Sequence, residues 1–176
     1  KNKFKKLEII NFGVSEYGTT QQYLTLKNYV WQYDPDLILL AFFTENDVAD
    51  NSKILSKKKY RPYYFYKNNN LLLDDSFTET KPYKILSSVP GKLFIQVSQY
   101  SRIAQLFRES YVQYYFKSQN DNLKKKSDTK KLVKSLEIKN LYEPKEKVWL
   151  EAWAITEEII KSINNDILSK NKDFIL

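Results

Sequence analysis

The chain of 176 residues contains no histidine, no cysteine and no methionine, and only three glycines and five prolines. Without cysteine there is no disulfide, no thiol nucleophile and no thiolate metal site. Without histidine the chain lacks the usual general base near neutral pH and the commonest metal ligand. The missing cysteine does not fix a compartment, since a bacterial periplasmic protein can also lack it. So few glycines and prolines argue against a turn-dense β-sandwich and for longer regular elements. No apolar run approaches the roughly 18 residues needed to cross a membrane. No apolar h-region of a secretory signal follows the basic start Lys1-Asn2-Lys3.

What is present describes one packed domain. Hydrophobic residues make up 42% of the chain and aromatic residues 15%, enough for a substantial core. The net charge of +8 comes from 29 basic and 21 acidic residues. Lysine supplies nearly all of it, in Lys57-Lys58-Lys59, Lys124-Lys125-Lys126 and Lys130-Lys131, whereas arginine stands only at Arg61, Arg102 and Arg108. A nucleic-acid reader leans on arginine for bidentate contacts, so these lysines read as solvated surface and no nucleic-acid partner is expected. Nor does any residue pattern call for a metal or a cofactor.

Along the chain, residues 7–12 form a β-branched apolar run ending at Gly13, which predicts a buried strand. A helix is expected from Thr19 or Thr20, capped by a threonine hydroxyl. Its apolar positions are Tyr23, Leu26, Val30 and Tyr33, and Asp34-Pro35 ends it. Residues 37–43 are continuously apolar, the mark of a strand covered on both faces. Strand, helix and strand at this spacing make a right-handed βαβ unit.

Further on, residues 60–75 predict a Tyr-rich hairpin standing off the main sheet, turning at Asn68-Asn69-Asn70. Residues 92–117 predict one helix with Ile103, Leu106, Phe107 and Val112 inward. Residues 118–131 are polar enough to read as a flexible Lys-rich loop. From about Lys145 to Lys170 a last helix carries Trp149, Ala152, Trp153, Thr156, Ile159, Ile160, Ile163 and Ile167 on one stripe. Asp173-Phe174-Ile175-Leu176 then opens another buried strand. The expected class is α/β, a three-layer α/β/α domain around a mainly parallel sheet spanning 1–176, and it reads as an internal piece of a longer protein. Any targeting or anchoring segment would then lie upstream.

Two turns carry the chemistry. Asn11-Phe12-Gly13-Val14-Ser15-Glu16-Tyr17-Gly18-Thr19 follows the first apolar run, and Thr44-Glu45-Asn46-Asp47 follows the second. Ligands in open α/β sheets bind at such strand ends. Together the two turns resemble two of the four blocks of the SGNH (GDSL) hydrolase superfamily. In its members the first commonly reads Asn-Phe-Gly-Val-Ser-Gly-Tyr-Gly-Thr and the second Gly-x-Asn-Asp. The likeness continues through Asp50-Asn51-Ser52, Arg61-Pro62-Tyr63 and the tryptophan-bearing helix.

The resemblance implies a flavodoxin-like fold and a serine esterase that works through an acyl-enzyme. Asn46 would give the side-chain amide of the oxyanion hole and Glu16 its backbone N–H. Gly13, Ser15 and Asp47 would support the loops, and no metal or cofactor would be required. The substrate would be a small-molecule or glycan ester. Two departures stand out: Glu16 occupies the customary glycine position and Thr44 replaces the first glycine of Gly-x-Asn-Asp. Ser15 misses the Gly-x-Ser-x-Gly spacing by one residue and reads as a turn serine rather than a nucleophile.

The nucleophile block is expected before Lys1 and the Asp-x-x-His block after Leu176, so residues 1–176 alone are expected to be inactive. Two alternatives stay open. One is a glycan O-acetyltransferase of the same fold, and the other a non-catalytic binding domain that has lost the triad.

Overall fold

The computed structural model describes residues 7–44, 46–56, 58, 60–68, 70–124 and 144–176; for residues 112 and 115–124 it describes the backbone only. The architecture is α/β. Helices predominate, with one parallel strand pair and one antiparallel hairpin.

One of the two longest described elements is α6, Lys147–Ser169. Trp149, Ala152, Ile155, Thr156, Ile159, Ile163 and Ile167 are its buried residues. Their steps of three, four and one turn a single stripe inward. The stripe serves two clusters. Its N-terminal part, Trp149 and Ala152, packs on Val48 and Ala49 of helix α2 (Asp47–Asp50) and on Leu55. Its C-terminal part packs on Tyr23 and Leu26 of helix α1 (Thr19–Asn28), with Leu40 and Tyr64. Burying side chains of this size contributes about 1.5–3 kcal/mol each, so α6 is the spine of the fold.

Strand β1, Leu37–Leu39, pairs in parallel with β4, Asp173–Ile175, in the register Leu37↔Asp173, Ile38↔Phe174 and Leu39↔Ile175. Leu40 N–H extends the ladder to Ile175 C=O at 2.8 Å. The ordered strand is shorter than the apolar run of 37–43, and Leu37 and Leu39 are exposed, so β1 is covered on one face only. Residues 7–12 form no strand, and Leu7 and Ile9 are each 80% exposed. Strand propensity needs a neighbour to pair with, and among the described residues the only strand that β1 pairs with is β4, which is exposed at Ile175 and so is not the buried strand expected there. Instead Asn11 folds onto its own backbone, its Oδ1 accepting Gly13 N–H at 2.7 Å.

Helix α1 starts at Thr19 with Gly18, not a threonine, at its N-cap. It stops at Asn28 and gives way to a single 3-10 turn, Val30–Tyr33. Tyr23 and Leu26 are buried as expected; Val30 is partly buried and Tyr33 is exposed. Asp34 ends the turn in the left-handed region at φ 43° and pairs with Lys172 at 2.7 Å.

The hairpin consists of β2, Tyr63–Lys67, and β3, Asn70–Asp74. Asn68 supplies the positive φ its two-residue turn requires, 52°. It does not stand off, however: Tyr63 is buried, and Tyr64 lies in the main core with its ring 6.1 Å from that of Tyr23. At its far end Asp74 is held by Lys53 Nζ at 2.5 Å and Ser76 N–H at 3.0 Å.

Helix α3 (Lys81–Ser87) follows, and two helices, α4 (Val89–Tyr100) and α5 (Arg102–Lys124), stand where one was expected over 92–117. Serines make the breaks. Ser88 is extended and its Oγ accepts Gly91 N–H at 3.2 Å; Ser101 is extended and its Oγ accepts Ala104 N–H at 3.3 Å. Each is an N-cap hidden inside a helical pattern. Gly91 lies so close to the carbonyls of Ile85 and Leu86 that a Cβ would not fit, which lets α4 fold back on α3.

Helix α5 carries on to Lys124, through the first half of the expected Lys-rich loop, because extending a formed helix costs far less than starting one. Residues 125–131 lie outside the described residues. Ile103, Leu106 and Phe107, expected inward, face solvent, and the side chain of Val112 is outside the described set.

The Asp74 contacts make stability depend on acid. Hydrogen bonding from Lys53, then from Ser76, holds its carboxyl at a pKa of about 2 against an ordinary 3.8. The stabilisation is therefore complete above the ordinary value and is lost as pH falls through about 2. In urea unfolding, the stability gap between the native protein and Asp74→Asn should close from about pH 5 downward to about pH 2. A gap independent of pH over that range would refute the pairing.

Candidate functional site

The two motif turns meet at α2. The first turn approaches it through Gly18, where an added Cβ would lie 3.0 Å from Asp50 Cβ and 3.4 Å from Asn51 Oδ1. Glycine permits this contact because nothing projects from it. The same lack leaves α1 without a capping side chain, and α1 has unsatisfied N–H groups in its first turn. Gln21 Oε1 turns back to accept Gly18 N–H at 3.1 Å. Asn51, remote in sequence, accepts Thr20 N–H at 2.9 Å and Thr20 Oγ1 at 3.0 Å through one oxygen. Its amide nitrogen donates to Thr156 Oγ1 at 2.9 Å, which in turn donates to Ala152 C=O at 2.7 Å. Asn51 is completely buried. A borrowed cap thus joins α1, α2 and α6 and fixes the first turn beside the second.

Arg61 is the other tie. Its Nη1 donates to Glu16 C=O at 2.9 Å; its Nη2 reaches Asp50 C=O at 2.9 Å, Ser56 Oγ at 3.0 Å and Asp50 Oδ1 at 2.7 Å. Its Nε donates to Tyr63 Oη at 3.1 Å, and that hydroxyl donates to Lys58 C=O. The guanidinium, 11% exposed, so links the first turn, α2 and the hairpin in one fork. Lysine, with its single ammonium, could not make these contacts at once.

Of the residues singled out in the sequence, Glu16 is the most altered by its setting. Its φ is 71°, the left-handed region that favours glycine. Its carboxylate swings out to Lys58 Nζ at 2.6 Å and is 70% exposed. Hydrogen bonding and the charge of Lys58 lower its pKa, so it is ionised and paired. Glu16 N–H makes no hydrogen bond among the described residues.

Asn46 sits immediately before α2, exposed, and its side-chain amide also has no partner among the described residues. Its C=O accepts Asp50 N–H at 2.8 Å, so it stands one helical turn from the residue Arg61 holds. Asp47 is buried, with Oδ2 accepting Phe43 N–H at 2.8 Å; burial pushes its carboxyl above the usual range, and the Phe43 bond opposes this. Asp47 therefore ties the start of α2 back to Phe43, in the segment that follows β1. Gly13 and Ser15 are exposed in the first turn.

No family model, curated protein or solved structure matches this chain. The site is accordingly read from its own geometry. Among the described residues no group of three or more His, Cys, Asp or Glu is placed to hold a metal ion. No described helix is long and apolar enough to cross a membrane.

The roles of Asn51, Arg61 and Lys58 were not apparent from the sequence. Asn51 and Arg61 lay in stretches already noted, but nothing local says that an asparagine will cap a helix elsewhere. Arg61 gave one faint signal, as one of only three arginines among many lysines.

Substitutions at two positions test this arrangement. Asn51→Ala strips the cap of α1 and leaves buried groups unpaired, and should cost about 2–4 kcal/mol in denaturant unfolding; a loss below about 0.5 kcal/mol would exclude a bridging role. At position 16 the backbone sets the ranking: Glu16→Val should lower the urea midpoint while Glu16→Gly should not, since only glycine adopts this φ freely. The reverse order would show that the turn is unstrained.

Proposed function

We propose that this chain carries the oxyanion-stabilising half of an SGNH-type serine ester hydrolase, within a three-layer α/β/α fold to which the β1–β4 pair belongs. The observation that carries the proposal is a contrast in commitment. Asp47, Asp50, Asn51 and Arg61 all spend their polar atoms on the scaffold, whereas Asn46 amide and Glu16 N–H remain unpaired among the described residues. Free, preorganised donors are what a developing oxyanion needs.

Glu16 fits the same reading. A carboxylate beside an oxyanion would oppose it, but this one is turned to Lys58 and neutralised. Its positive φ matches the glycine usual at that position in the superfamily. During acyl transfer the attacking serine would drive negative charge onto the substrate carbonyl oxygen. Glu16 N–H and Asn46 Nδ2 would then donate to it, while Arg61 and Asp47 keep the two donors in place. The serine, and a base to take its proton, would come from outside residues 1–176.

The full-length protein should hydrolyse p-nitrophenyl acetate, and Asn46→Ala should lower kcat by about 10²–10³ with little change in KM. Residues 1–176 alone should show no hydrolysis above buffer. A full-length protein with no serine labelled by a fluorophosphonate would overturn the proposal and favour the non-catalytic domain. Transfer of acetyl to a glycan acceptor in preference to water would make it an O-acetyltransferase.

A further inference from the structure

The first motif turn is held on all sides of one peptide, and that peptide is held by nothing. Tyr17 N–H donates to Val14 C=O at 3.2 Å, closing residues 14–17 into a β-turn. Glu16, its third residue, has φ 71°, and Ser15, its second, is not among the residues of positive φ. These are the signs of a type II turn, whose third place favours glycine. Arg61 Nη1 holds Glu16 C=O at 2.9 Å and Lys58 Nζ holds its carboxylate at 2.6 Å. Each of these contacts lies outside the Ser15–Glu16 peptide. Among the described residues neither Ser15 C=O nor Glu16 N–H takes part in a hydrogen bond, and both residues are exposed.

Turns of types I and II differ by about 150° at ψ of the second residue and about 170° at φ of the third. Made together, the two changes turn over the peptide between those residues and leave the flanking chain in place. Here that motion breaks no hydrogen bond among the described residues, and it relieves a positive φ that is uncommon outside glycine. It also exchanges the peptide's two polar groups, so that Ser15 C=O points where Glu16 N–H pointed. Arg61 and Lys58 do not oppose it, because Glu16 C=O and its side chain stay where they are. They fix where Glu16 lies, and the peptide decides which group it presents.

We propose that the Ser15–Glu16 peptide is a two-position switch: the ligand-free chain holds both orientations, and negative charge in the site selects the one that presents Glu16 N–H. The role of the switch rests on the hydrolase reading, in which that N–H is an oxyanion donor. Turned over, the peptide presents a carbonyl oxygen, which repels the charge the donor would stabilise. Activity then scales with the competent fraction, because a ligand that binds one of two states binds more weakly by the fraction of that state. Glycine at position 16 would keep the donor in place, whereas glutamate leaves its placement to the substrate.

NMR of the chain decides whether both orientations exist. In a type II turn the third residue's N–H lies beside Hα of the second, and in a type I turn beside its N–H. The native chain should show both nuclear Overhauser contacts between Ser15 and Glu16, and Glu16→Gly should shift the intensity to the first. A single contact in the native chain, or unchanged intensities in Glu16→Gly, would overturn the proposal. Kinetics of the full-length protein test the use of the switch. Glu16→Gly should raise kcat/KM for p-nitrophenyl acetate about two- to tenfold. The gain should exceed that of Glu16→Ala, since both remove the carboxylate and glycine alone takes this φ freely. Equal gains would assign the effect to charge, and no gain would show a fixed peptide; either overturns the proposal. A full-length protein that hydrolyses nothing would remove the hydrolase reading and the role built on it, while the two contacts still decide whether the peptide turns over.

Discussion

The amide of Asn51 is the contact on which the rest of the described structure depends. One oxygen satisfies the first turn of α1, one nitrogen reaches α6, and the residue itself ends α2. Three elements far apart in sequence are thereby held in register by a single buried group. Apolar packing on α6 supplies most of the stabilisation but is non-directional. The hydrogen bonds of Asn51 select one arrangement among the several that an isoleucine stripe alone would accept. With that arrangement set, Arg61 can span from the first turn to α2 and the hairpin, and the candidate oxyanion donors stay where that span leaves them.

What could be read from the sequence follows a physical divide. The inward stripe of α6 was legible almost residue by residue, because period and burial coincide over six turns. The hairpin turn at Asn68 and the strand at Asp173–Ile175 were legible too, since asparagine tolerates positive φ and an apolar run after a helix end favours extension. Residues 7–12 looked as much like a strand as 173–176 and are not one, since pairing depends on a neighbour and not on the segment itself. The helix breaks at Ser88 and Ser101 were hidden because serine is neutral within a helix and decisive only once its side chain turns back on the backbone.

The candidate site divides the same way. Asn46, Asp47 and Glu16 were marked by their turns, and Glu16 takes the positive φ that favours glycine. The supports were invisible because each acts at long range. A cap donated from another element, a guanidinium shared by five acceptors and a lysine that draws a carboxylate aside are tertiary facts. Ile103, Leu106 and Phe107 show the opposite failure: helical periodicity identifies a stripe but not whether protein or something else covers it.

The parallel pair β1–β4 has a consequence for the order of events in folding. Leu37 and Asp173 are 136 residues apart (173 − 37), with α6 between them in the chain. Pairings of such wide sequence separation are slow, because chain entropy is lost before the contact rewards it. During synthesis, β1 leaves the ribosome long before its partner exists. The apolar run from Leu37 is then without its partner strand until β4 emerges, an interval in which an unpaired strand edge is open to aggregation.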